Sequence, residues 1–83
     1  MKRLLKFQAE WCGPCHAIAP AVKQVAEQTG LEVEEIDIDL NPDLAESYGV
    51  QAVPTILLVE GGKELARHMG SAPKSAILAN LGL

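Results

Sequence analysis

The apolar period of this chain changes at Pro14, and that change limits the folds open to it. Before it, "RLLKF" (residues 3–7) is a short apolar run suited to a strand. After it, Ile18, Val22, Val25 and Ala26 recur at helical spacing, with Lys23, Glu27 and Gln28 on the other face. Gly30 supplies the stop, and Pro20 inside the helix removes one N–H and predicts a kink. "EVEEIDID" (residues 32–39) alternates, carries β-branched residues and reads as the next strand. Asn41 and Pro42 then cap and open a short helix through Tyr48, which Gly49 ends. "TILLV" (residues 55–59) is continuously apolar, as in a strand covered on both faces. Gly61 and Gly62 mark a hairpin into "KELARHM" (residues 63–69), the more polar edge. Gly70 breaks that strand, and Ser71 is expected to cap a last helix with Ile77, Leu78 and Leu81 as its apolar stripe.

The predicted order is β-α-β-α-β-β-α, an α/β fold. The first three strands are expected to form a right-handed parallel βαβ arrangement, which the fourth joins through the hairpin. Eighty-three residues leave room for one domain, residues 1–83, without linker or repeat. A net charge of −4 argues against nucleic-acid and anionic-membrane partners, which reward clustered Lys and Arg. "MKRLLKFQAEW" starts like a signal peptide, but Lys6, Gln8 and Glu10 interrupt any apolar region and no small-residue cleavage site follows. The longest apolar run, "VPTILLV", falls far short of the roughly 18 residues of a membrane span. A cytoplasmic chain is the expectation.

The chemistry concentrates in "WCGPCH" (residues 11–16), which holds both cysteines and one of the two histidines. Three patterns overlap there: a redox dithiol, a c-type haem attachment and half a zinc site. Haem would take His16 and Met69 as axial ligands but needs a deep apolar pocket, which the strand-rich C-terminal half fits poorly. Zinc needs about four ligands, and only the distant His68 or carboxylates are left to complete the set. Gly-Pro between two cysteines at a helix start is also not a packing pattern, so the redox reading prevails. If Pro14 marks the first helical turn, Cys12 lies at the helix N-terminus and Cys15 one turn on, on the same face, within bonding reach. Unpaired N–H groups and the positive end of the helix stabilise a thiolate at Cys12, the partly exposed nucleophile. Cys15, expected to lie deeper, is the resolving thiol that attacks the mixed disulfide and releases reduced product.

"AEWCGPC" followed by "APAVKQVAEQ" resembles the thioredoxin family, which is also the standard example of a lowered thiol pKa in a Cys-x-x-Cys motif. The resemblance continues through "DIDLNPDLAESYGVQAVPTILLVEGGKE" and "MGSAPKSAI", covering nearly the whole chain. It implies a minimal thioredoxin fold, a four-stranded mixed sheet flanked by helices, in a short member lacking the family's usual first strand and helix. It matches Pro54 to the family's cis-proline facing the cysteines. It also implies that the Val53 backbone pairs with an extended substrate segment. Trp11, Gly13, Pro14, Val53, Pro54 and Gly70 would then form a flat, mostly apolar contact surface.

Two positions depart from the family pattern. The family usually carries a buried Asp six residues before the first cysteine, paired with a Lys on the next strand; here those positions hold Lys6 and Glu35. Two readings stand side by side. In one, Glu35 takes over proton transfer towards Cys15 and Lys6 holds it in place. In the other, the two are solvated charges on a small open domain. His16 stands where the family commonly has Lys and reads as an exposed first-turn residue with little effect on Cys12. The resemblance implies a protein dithiol–disulfide oxidoreductase, without metal or bound cofactor, working as a monomer on target proteins with disulfides. A thioredoxin reductase drawing on NADPH through a flavin would recharge it. The alternatives are a glutathione-dependent, glutaredoxin-like protein and a non-catalytic binding subunit with incidental cysteines.

Overall fold

The computed structural model describes all 83 residues and contains the seven elements in the expected order. These are β1 (Lys2–Gln8), α1 (Gly13–Thr29), β2 (Val33–Asp37), α2 (Pro42–Ser47), β3 (Thr55–Glu60), β4 (Lys63–Met69) and α3 (Lys74–Leu81). The strands form one mixed sheet in the order β2-β1-β3-β4. Only β1 and β2 are parallel; β3 runs antiparallel to β1, and β4 antiparallel to β3. This corrects the expectation of three parallel strands. The six residues of α2 advance the chain only ~9 Å. Returning along a strand of six residues needs ~20 Å. With residues 48–54 staying at the same end, the chain re-enters the sheet where β2 leaves it.

The period of two along each strand divides the core between the two faces of the sheet. Leu4, Ile56 and Leu58 pack against Ile18, Val22 and Val25 of α1 and Ile77 and Leu81 of α3. On the other face Leu5, Phe7, Leu57 and Val59 meet Ile36 of β2 and Ala45 of α2. The Phe7 ring meets Tyr48 edge-on, centroids 6.0 Å apart, which extends α2's short cover. β3 lies between strands and under helices on both faces, so Thr55 to Val59 are all buried. That is the physical reason for its continuous apolar run.

Local chemistry sets the element ends. At Gly30 the chain turns left-handed, φ +73°, and the Gly30 N–H closes α1 on the Ala26 carbonyl at 2.9 Å. Helix α1 continues through Pro20 without interruption. β2 stops two residues before the predicted end, because the Asp37 side chain accepts from the Asp39 N–H at 2.8 Å and turns the chain. Asn41 occupies the N-cap of α2, but its side chain makes no cap bond and donates to the Asp37 carbonyl instead. Ser71 does not cap α3; Pro73 does, through its carbonyl. A residue before proline is held extended, so the helix cannot begin before Pro73. No helix is long and apolar enough to cross a membrane.

Candidate active site

Four chain segments meet at the end of the sheet where β1 and β2 finish. Ala9, just past β1, packs with Cys12 and Cys15, and Ile38 and Val53 close over them. Cys12 is the N-cap of α1, with extended backbone (φ −90°, ψ 103°), and its sulfur accepts from the Cys15 N–H at 3.1 Å. The two cysteines form a disulfide, their Cα atoms 5.3 Å apart. Proline inside the first turn fits this helix start, where its missing N–H would lack a partner anyway.

The expectation of a partly exposed Cys12 above a deeper Cys15 needs correction. Cys12 is 4% and Cys15 2% exposed, because Ala9, Ile38 and Val53 cover both. Their asymmetry lies in the backbone: Cys12 caps the helix and receives an N–H, while Cys15 sits inside the first turn.

The Val53 carbonyl lies 3.8 Å from the Cys12 sulfur, and Val53 is half-buried. The Val53–Pro54 peptide bond is cis, and Pro54 is buried. Gly70 follows β4 and donates its N–H to the Pro54 carbonyl at 2.9 Å. The structure thus brings Cys12, Cys15, Val53, Pro54 and Gly70 to one place. Gly13 and Pro14 are exposed beside them. Trp11 is 68% exposed, and its indole N–H donates to Asp39 Oδ2 at 2.8 Å. Sequence reasoning missed Asp39, because residues 32–39 read as one strand; the Asp37 turn that aims it at Trp11 has no period-two signature.

Lys6 and Glu35 are register partners across β1 and β2. Lys6 Nζ lies 3.8 Å from Glu35 Oε2, with the Lys6 side chain 4% exposed and that of Glu35 61% exposed. Lys6 shares the face of Leu4, so the pleat turns it under α1 into a core position. It is therefore not a solvated charge, whereas Glu35 largely is. Both line a cavity of about 280 Å³ whose wall also includes Cys15, His16 and Asp37. His16 is exposed and donates from Nε2 to the Glu10 carbonyl at 2.8 Å.

The zinc and haem ligand sets are not assembled. No three His, Cys, Asp or Glu side chains converge on a common point, and the two sulfurs are bonded to each other. His68 is buried in hydrogen bonds to Gly70 and Asn80, while Met69 is exposed on β4.

The family model described as Thioredoxin matches residues 1–82. A thioredoxin from Streptomyces clavuligerus is 42% identical over 76 residues, covering 90% of this chain and 71% of that protein. A bifunctional thioredoxin reductase/thioredoxin from Mycobacterium leprae is 38% identical over 80 residues, which are 94% of this chain and 18% of that one. Among solved structures, a thioredoxin from Fasciola hepatica superposes with a TM-score of 0.85 at 33% identity, covering 98% of this chain and 78% of that one.

Proposed function

The chain belongs to the thioredoxin family and is a protein dithiol–disulfide oxidoreductase, and from that premise we propose the roles of its residues. The observation that carries them is the Cys12–Cys15 disulfide at the N-cap of α1, facing the Val53 carbonyl. In the reduced form the helix N-terminus favours a thiolate at Cys12. That thiolate attacks a target disulfide: a Cys12–target S–S bond forms, the target S–S bond breaks, and the departing target sulfur takes a proton. Cys15 loses its proton and attacks Cys12. The Cys12–Cys15 disulfide forms and the second target thiol leaves. Two electrons and two protons pass from the dithiol to the target, so the chemistry requires no metal and no bound cofactor.

Glu35 accepts the Cys15 proton in this reading, and the buried Lys6 keeps its carboxylate at the cavity. Trp11, Gly13, Pro14, Val53, Pro54 and Gly70 form the surface against which the target segment lies, paired through the Val53 backbone. The partners are target proteins with disulfides and a thioredoxin reductase. The joined activities in the name of the Mycobacterium leprae relative support the latter. We place the protein in the cytoplasm, as a monomer, where a reductase keeps the dithiol supplied with electrons.

Insulin reduction driven either by NADPH with thioredoxin reductase or by glutathione tests the assignment. Reductase-driven turnover that disappears in Cys12→Ser is the expected result. Turnover with glutathione alone would indicate a glutaredoxin-like carrier, and partner binding without turnover a binding subunit. Glu35→Gln tests the proton path: unchanged rates together with an unchanged Cys15 titration would remove Glu35 from it.

A further inference from the structure

Gly70 is held from the inside of the molecule. Its N–H donates to the Pro54 carbonyl at 2.9 Å, and its own carbonyl lies 2.9 Å from His68 Nε2. His68, on β4, is 4% exposed and one of the few polar side chains in the interior. Its other ring nitrogen, Nδ1, lies 2.9 Å from Asn80 Nδ2 of α3. An amide NH₂ group only donates, so Nδ1 is the acceptor and the ring proton sits on Nε2. The neutral Nε2–H tautomer then satisfies both ring nitrogens, and no buried side-chain polar atom is left without a partner.

This arrangement decides what Gly70 presents to a substrate. Both of its backbone polar groups are engaged inward. On its side-chain side a Cβ would meet nothing within 4 Å. The outward surface at Gly70 is therefore bare Cα, next to the exposed Met69. A continuous hydrogen-bonded path runs from Asn80 through His68 and Gly70 to Pro54, whose neighbour Val53 faces Cys12.

We propose that His68, with its tautomer fixed by Asn80, is a positioning residue that holds the Gly70 loop in its substrate-receiving form. The proposal rests on Gly70 lying in the docking surface. Without the Nε2 donor, the part-buried Gly70 carbonyl loses its partner, and the loop relieves this by turning the carbonyl out to water. The apolar surface then acquires a polar group that an approaching protein segment must desolvate.

The test is reductase-driven insulin reduction by His68→Leu, His68→Gln and Gly70→Ala, each checked for folding by thermal melt. His68→Leu keeps the packing but lacks the donor, and is expected to raise KM on the order of 3–10-fold, the weight of one net hydrogen bond, with kcat little changed. In His68→Gln the terminal amide nitrogen takes the place of Nε2, and most of the loss is expected to be restored. Nitrogen NMR of the wild-type His68 ring is expected to show the Nε2–H tautomer. An Nδ1–H tautomer, or equal KM values for the Leu and Gln variants, overturns the proposal. If Gly70→Ala, which places a Cβ at φ +89°, raises KM with an unchanged melt while His68→Leu does not, the role of His68 fails and the docking surface stands. If Gly70→Ala leaves KM unchanged, the docking surface fails and the proposal with it.

Discussion

Replacing Lys6 with Met separates what this buried charge does for stability from what it does for the site. The side chain is 4% exposed, so its stem is buried and its ammonium, at the wall of the cavity, gives up part of its hydration. The return comes from Glu35 Oε2, 3.8 Å away, which at an effective permittivity of ~20 would be worth about 4 kcal/mol. Glu35 is itself 61% exposed, however, and measured pairs with that much solvent around them give only about 0.2–1 kcal/mol. The expected balance is that desolvation outweighs this screened attraction and that Lys6 costs the fold stability. Methionine has similar length, no charge to desolvate, and apolar neighbours in the adjoining cavity lined by Ala19, Val22 and Val33. Lys6→Met is expected to stabilise the oxidised protein by roughly 1–3 kcal/mol, the usual range for replacing a buried charge with a packed apolar group. The assay is urea unfolding at neutral pH, where the midpoint rises at constant slope. Insulin reduction is expected to slow in the same variant, because Glu35 loses the group that holds it at the cavity. A loss of more than about 1 kcal/mol would refute the reasoning, since Lys6 would then be stabilised by more than a screened carboxylate returns.

Arg67 bonds Glu64 and reaches the Tyr48 and Gly49 carbonyls at the end of α2, so Arg67→Ala is expected to cost about 1–2 kcal/mol in chemical unfolding. The hydrogen bond from Arg67, aided by its charge and opposed by burial, holds the Glu64 carboxyl below its ordinary value of 4.5. A lowered folded value contributes stability that is complete above the unfolded value and lost as pH falls through the folded one. The variant should therefore lose less stability than wild type as pH is taken down from 4.5, measured as unfolding midpoint against pH. Gly30→Ala places a side chain at φ +73° and is expected to lower stability by about 1 kcal/mol in the same unfolding assay, with insulin turnover unchanged.

The sequence made the elements legible because each rests on a local signal: a period, a glycine stop, a proline at a first turn. It also made the cysteine chemistry legible, since Cys12 and Cys15 are neighbours along the chain. The direction of β3 was not legible, because it depends on the path that residues 48–54 take after α2, which carries no periodic signal. Asp39 escaped for a related reason: its bond to Trp11 spans 28 positions and follows from a turn made by the Asp37 side chain. His68 carried no motif at all. Its partners Gly70 and Asn80 become its neighbours only once α3 folds back beside β4.

Strand parity explains why the charge beneath the site is consequential. Along β1, Leu4 and Lys6 point to the α1 side, and Leu5 and Phe7 to the α2 side. An apolar residue at position 6 would join the core of Leu4, Ile18 and Val22; a lysine there runs its stem through that core and brings its ammonium to the cavities beside α1. Shifting the register of β1 by one residue would only move the charge to the α2 side, which is also a core face, and would send Leu5 and Phe7 to the wrong faces. The burial of Phe7 and Leu5 thus enforces the burial of Lys6, and the cavity it shares with Cys15 follows from the fold. A group kept in a core position at a cost to stability, beside the thiol that must lose a proton, is where a stability–activity trade-off is expected. Comparing stability and turnover in Lys6→Met and Lys6→Glu would expose it: both should slow insulin reduction, while only the methionine variant gains stability.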